Sequence, residues 1–379
     1  MRALSLVVVS VVLTVVVALG AQLLLRDIDR GIPVALIFEE EGSGASLGRR
    51  LQQTLLRIID DAREQKIARY QPLVFSSVNL DEAVRQAVEA GAVAILGGGT
   101  STFTGRLLLA AEKGHISCVS PRANSRRLAL SGDRLFRVLA STGARRAGRF
   151  AREQGFHDFV VLADGNNYQY VDSFLPDFVE TLGEAPLDVI RLERGLERAQ
   201  IIHLLDHHPR MKGALLLLPD FFSALAVQLL RDFWPGLQIY VSDWGVSSRT
   251  SSLAGSPGDG VWGLSFFAPE TEPHLEALSS RLKALYGERP PFELLGPAHA
   301  ALAMVDQAVS VGGPLRGGVA AALSAMRHVD RWGWDFPLDE AGDGAQPLHL
   351  LELRQGRWRT FEIVPPLAFP EVSSDSFSP

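Results

Sequence analysis

Residues 94–114, AILGGGTSTFTGRLLLAAEKG, gather backbone donors and hydroxyls into one short stretch. The stretch reads as the end of an apolar strand, a glycine-rich turn, and an amphipathic helix closed by glycine. Main-chain N–H groups in such a turn and at a helix start are suited to hold an anion. Ser101 and Thr102 add hydroxyls, although either has an ordinary alternative as a helix cap, worth ~1 kcal/mol. The turn lacks the Gly-Lys-Ser/Thr of a phosphate loop and the Gly-x-Ser-x-Gly of a nucleophile elbow.

Other polar residues also follow apolar runs. Asn124 and Ser125 stand in SPRANS, residues 164–168 in ADGNNYQY, Asp220 in LPDFF, and Asp243 with Trp244 in VSDWG. The earlier group offers hydroxyls and N–H donors, which suit a carboxylate. The later group offers acids and aromatics, which suit an ammonium group and an apolar body. A zwitterion such as an amino acid would fit between them. Each residue has a plainer use as well. Asn124 and Ser125 are ordinary turn formers, Tyr168 packs on a surface, and Asp220 caps a helix.

Signals for catalysis and metals are weak. His203 and His207 share a helix face, but no Glu follows His203, so the metalloprotease pattern is missing. DEAGDG lacks the acid alternation and terminal Glu of a calcium loop. Asp164 and Asp243 would form an acid–base pair, yet no activated nucleophile accompanies them. Cys118 is the one cysteine, so it makes no internal disulfide and no cysteine metal cluster; in HISCVS it reads as a small core residue. The expectation is a non-enzyme without cofactor or metal.

The elements that must position these side chains alternate. IPVALIFEE, YQPLVFSSVN, AVAILGGG and HISCVSP read as strands, each separated by a helical run. The pattern restarts with a helix in GARRAGRFAREQG. Strands in DFVVLADG, LDVIRLE, ALLLLPD and LQIYVSDWG follow, with helices between them, one carrying Pro176. Such alternation means parallel sheets flanked by helices, in two similar lobes. Residues 271–326 read as helices without strands, and LHLLELRQGRWRTFEIV as a closing hairpin. Ligands in such sheets bind beyond the carboxyl ends of the strands, here in the gap between lobes.

The net charge of −6 argues against a nucleic-acid partner. Residues 1–25 form an apolar run after one arginine, long enough for the ~20 residues of a bilayer span and compatible with a secretory signal. Either use places the body outside the cytoplasm, in the periplasm or tethered to the inner membrane. The absence of cysteine near the run excludes a lipid anchor. The tail at 370–379 is polar and expected to be disordered.

The order of AVAILGGGTSTFTG, HISCVSPRANSRRL, DRLFRVLAST and DFVVLADGNNYQYVDSF resembles the type I periplasmic solute-binding proteins of the branched-chain amino acid (leucine-binding) class. The resemblance covers about 32–364, including WDFPLDEAGDGAQPLHLLELRQGRWRTF near the end. It implies a two-lobed α/β fold joined by a multi-strand hinge. Lobe 1 would span 27–140 with 271–327, and lobe 2 141–269 with 332–369. It also implies ligand contacts at Ser101 or Thr102, at Asn124, at Tyr168 and at Asp243 or Trp244. Asn124 stands where the family more often has Thr or Ser. Trp244 is bulky, and Phe221 with Phe222 would narrow the cleft. The implied function is capture of a small polar solute for an ABC permease or a sensor. The alternative is a tethered regulator of the same fold that binds a protein and has a degenerate cleft.

Overall fold

In a computed structural model the described residues are 31–130, 132–193, 195–268 and 272–366. The apolar run at 1–25, expected to be a signal or an anchor, and the tail at 370–379 lie outside them. The run IPVALI forms β1 (Ile32–Ile37), whose side chains alternate between two cores: Val34 and Leu36 enter one, Ala35 and Ile37 the other. A strand buried on both faces needs helices on both faces. Around it stand β2 (Tyr70–Val74), β3 (Ile95–Gly97), β4 (Cys118–Ser120) and β5 (Leu135–Arg137), all parallel, in the order β2-β1-β3-β4-β5. The helices of this lobe include α1 (Ala45–Glu64), α2 (Leu80–Glu89) and α3 (Ser101–Lys113).

Lobe 2 follows from α4 (Ala144–Glu153) and β6 (Phe159–Asp164). In β6, Phe159, Val161 and Ala163 join one core while Val160 and Leu162 join another. Next come α5 (Tyr168–Leu182), β7 (Asp188–Leu192), α6 (Arg198–His207), β8 (Gly213–Leu217), α7 (Asp220–Phe233), β9 (Gln238–Val241), α8 (Ser248–Ala254) and β10 (Trp262–Ser265). The sheet is completed much later in sequence by a hairpin of residues 348–364. These are the elements the alternation predicts, except that helix α6 ends at His207 instead of running toward Lys212, and that α8 and β10 are additions.

The chain then returns to lobe 1 with α9 (Pro273–Tyr286), α10 (Phe292–Gly312) and α11 (Arg316–Ala325), free of strands as expected. Arg281 pairs with Asp61 of α1 at 2.9 Å, and Tyr70 donates to Asp306 at 2.7 Å. α10 is long and apolar enough to cross a membrane, yet most of it is buried in this lobe's core. A hairpin of β11 (His328–Arg331) and β12 (Trp334–Pro337) stays with α10, because Trp334 donates to His299 at 3.0 Å and Val329 and Phe336 are buried. Sequence reading begins the last lobe-2 segment at 332; the hairpin moves that crossing beyond Pro337. The closing hairpin, β13 (Leu348–Arg354) and β14 (Arg357–Val364), pairs antiparallel with β10, giving the order β14-β13-β10-β9-β8-β6-β7.

At the crossing, Arg137 is fully buried. Its guanidinium pairs with Asp343 through both Nε and Nη2, and Nη1 donates to the Ser125 carbonyl at 2.7 Å. Asp343 of DEAGDG therefore fastens this crossing, while Asp339 accepts from Ala341 N and Asp343 N within the turn, both at 2.9 Å. Burial holds the Asp343 carboxyl up at about 6 against the lowering influence of Arg137.

Candidate functional site

The carboxyl ends of β1, β3 and β4 face those of β6, β8 and β9 across the gap. On the lobe-1 side, the glycine-rich turn does hold an anion, and that anion is the protein's own. Glu39, two residues past β1, is buried and accepts from Gly99 N at 3.0 Å and from Thr100 N at 2.5 Å. Burial raises its pKa, and the main-chain donors work the other way. The turn is fixed by Gly98 at φ +80°, where a Cβ would lie 2.2 Å from Thr104 Oγ1.

The helix cap is Thr100, which accepts from Phe103 N at 3.3 Å. Ser101 is thereby left for other work, and its hydroxyl accepts from Asn124 N at 3.4 Å and Ser125 N at 3.2 Å. This ties the loop after β4 to the start of α3. Thr102 reaches the opposite lobe: its Oγ1 accepts from Gln169 N at 3.2 Å, and its N donates to Asn167 Oδ1 at 3.2 Å. Ser125 also crosses, donating to the Gln169 carbonyl at 2.8 Å.

On the lobe-2 side Asp243 is buried and fully engaged. Tyr170 donates to Oδ1 at 2.5 Å and Asn124 Nδ2 donates to Oδ2 at 3.1 Å. Arg122 Nη2 lies 3.9 Å from Oδ2 and donates to the Asp243 carbonyl at 2.9 Å, while Nη1 holds the Glu293 carbonyl at 2.9 Å. Burial raises the Asp243 pKa; the charge of Arg122 opposes that rise. Trp244 packs edge-on against Tyr170. A second set of cross-lobe bonds joins Arg50 to Asp220 at 2.9 Å and Ser248 Oγ to Glu293 at 3.1 Å.

Ser101, Asn124, Ser125, Asp243 and Trp244 thus come together, with Thr102 at their edge. Tyr168 does not join them: its ring is about half exposed, and Tyr170 takes the inward place. The reason is helical spacing, since 170, 171, 174 and 178 form the buried stripe of α5. Asp220 is the first helical residue of α7 instead of its cap, which is Pro219. Phe221 lies outward under Arg249, whereas Phe222 turns into the gap. Glu39, Arg122 and Tyr170 were missed by sequence reading. Glu39 ends the apolar run IFEE and Arg122 sits inside SPRANS, so position beyond a strand was the available signal for both.

Beside this packed centre the gap stays open. A crevice of about 290 Å³ lies between Gly42 and Ser43 of lobe 1 and Asp164, Asn166, Glu193 and Phe222 of lobe 2. Asp164 Oδ1 accepts from Asn166 N at 2.9 Å and Nδ2 at 3.1 Å, and Ser43 approaches the carboxyl from across the gap. Burial raises the Asp164 pKa. Two acids, an amide, a hydroxyl and one aromatic ring can receive a cationic or donor-rich group. Elsewhere, His203 and His208 reach Asp188 at 3.2 and 3.4 Å, His207 turns back to the His203 carbonyl, and no metal-binding group of three His, Cys, Asp or Glu occurs among the described residues.

The chain has the two-lobed fold of the type I periplasmic solute-binding proteins of the leucine-binding class. Similar solved structures include LivJ of Streptococcus pneumoniae with isoleucine, 16% identical over 89% of this chain and all of that one, with a TM-score of 0.77. The leucine-binding protein LivK of Thermotoga maritima is 17% identical over 88% of this chain and 99% of that one, with a TM-score of 0.73. An ABC transporter solute-binding protein of R. palustris in complex with benzoate is 16% identical over 89% and 98%, with a TM-score of 0.76. No protein-family description matches the sequence, and no curated protein does.

Proposed function

We propose that this chain binds a small polar organic solute between its lobes, outside the cytoplasm, for delivery to an ABC permease or a sensor. The observation that carries this reading is the open crevice at Asp164, Asn166, Glu193 and Phe222, set at the strand ends of a fold whose solved relatives include solute-binding proteins. Binding there would join Ser43 of one lobe to Asp164 of the other, so closure itself supplies affinity. The crevice favours an amine or another donor-rich solute over a free amino acid. A zwitterion's carboxylate would have to displace Glu39 from Gly99 and Thr100, and its ammonium would have to displace Arg122 and Asn124 from Asp243.

Putrescine and choline are expected to raise the melting temperature of the full chain in a saturable way, with leucine and benzoate inert. Asp164→Asn should weaken the cation response at least tenfold. No shift with either cation, or a shift untouched by that substitution, overturns the assignment of the crevice.

The filled centre favours a second reading, in which the body is a tethered regulator with a degenerate cleft and a protein partner. Bonds that already satisfy Asp243 and the glycine-rich turn would hold the lobes together without cargo. Inertness toward every solute class in the thermal screen selects this reading.

A further inference from the structure

The largest of the cavities described, about 330 Å³, lies away from the interlobe gap. α1 starts at the gap with Ala45 and runs away from it, so Ile58 and Ala62 lie roughly 20 Å or more along the helix at 1.5 Å per residue. These two side chains form one wall. The opposite wall is built of rings: His274, His299 and Trp332, with His274 and His299 centroids 5.7 Å apart and His299 and Trp332 5.4 Å apart. The volume falls within the ~300–1,000 Å³ of small-molecule sites.

The ring wall is held at a cost. Trp332 has φ +56° and Gly333 φ +87°, the pair of left-handed residues that a two-residue hairpin turn requires. Asn-Gly is the usual choice, and a bulky residue at the first place is strained. A Cβ at Gly333 would lie 2.8 Å from the His274 ring, so only glycine lets the turn come this close. Polar atoms in the wall are also unspent. Trp332 Nε1 and His274 Nε2 are buried without a hydrogen-bond partner. His299 Nδ1 accepts from Trp334, which leaves Nε2 to carry the proton of the neutral ring. Burial pushes that imidazole's pKa down to about 3, so it stays neutral. The one acid in the wall, Asp61, is gripped by Arg281 through both oxygens, at 3.0 and 2.9 Å.

We propose that this cavity is a second small-molecule site, taking a planar aromatic compound with one hydrogen-bond acceptor. The compound's ring lies between the His299–Trp332 wall and the aliphatic face of α1, and its acceptor meets the Trp332 indole N–H. Because the site is confined to lobe 1, its occupancy does not depend on the interlobe crevice.

Calorimetric titration of the full chain with quinoline, and with naphthalene as the same shape without an acceptor, tests this. Quinoline is expected to bind saturably and at least tenfold more tightly than naphthalene. Trp332→Phe, which keeps a ring and removes the N–H, should erase that preference. Ala277→Phe, at an exposed position on the rim, should abolish quinoline binding while leaving the circular dichroism spectrum unchanged. Absence of saturable quinoline binding, equal affinity for the two probes, or unchanged binding to Ala277→Phe overturns the proposal, and the rim variant decides if Trp332→Phe fails to fold.

Discussion

The centre of the interlobe gap and its corner are built from the same kind of loop, and they are finished differently. At the centre the carboxylates have partners from the chain itself: Glu39 occupies the N–H donors after β3, and Tyr170, Asn124 and Arg122 surround Asp243. At the corner, the buried Asp164, with the exposed Glu193 at its rim, stands beside about 290 Å³ of open space. Buried charges must be compensated, and compensation can come from within or from a guest. The centre has taken the first course, and the corner is left for the second.

The sharpest way to break this contrast is Asp243→Ala. It strands donors on both lobes, and breaking such a buried charged network costs about 3–5 kcal/mol. Urea unfolding should show that loss, with the lobes further apart by small-angle scattering; a loss under ~1 kcal/mol would mean the centre is loosely held. Glu39→Ala ranks next. Two buried main-chain donors lose their acceptor, and at about 1–3 kcal/mol for each unsatisfied group the total is about 2–6 kcal/mol. Acetate at high concentration should restore part of the melting temperature in this variant and leave the unmodified protein unmoved, which would turn the filled centre into an anion site of the expected kind.

The smallest effect concerns pH. Asp133, next to β5, has its carboxyl raised by burial to about 6. A folded-state value above the unfolded one of ~3.9 means that the folded state binds the proton more tightly, so this group's contribution to stability falls as pH rises from about 4 to about 6. Asp133→Asn should therefore gain stability relative to the unmodified protein across that window. A flat difference between the two denaturation profiles would remove Asp133 as the source. This sharpens the comparison by separating a burial cost at the edge of lobe 1 from the compensated acids of the gap.

Much of the architecture was legible from periodicity. IPVALI and FVVLA are apolar at every position because both faces are covered, and the helices between strands announce themselves by glycine stops such as Gly114 and Gly183. The short hairpin of β11 and β12 was not, because its alternation spans four residues per strand and its turn is Trp-Gly instead of Asn-Gly. Within the site, Ser101, Asn124 and Asp243 were found by position, since residues just past a strand must emerge at the gap. Their roles were not. Whether an N–H donor faces a guest or Glu39 depends on a residue some sixty positions away.

Tyr168 and Tyr170 show the same division. Both stand at a helix start, and choosing between them needed the rotation of α5 against the opposite wall. The sequence by itself determined two βα arrays, the strand ends that line the gap, and the acids and hydroxyls available there, because those follow from local periodicity and chain direction. Tertiary structure alone decided which of these groups satisfy one another and which remain open. Hydrogen-bond partners across the gap are set by the relative placement of two lobes, and no local pattern encodes that distance.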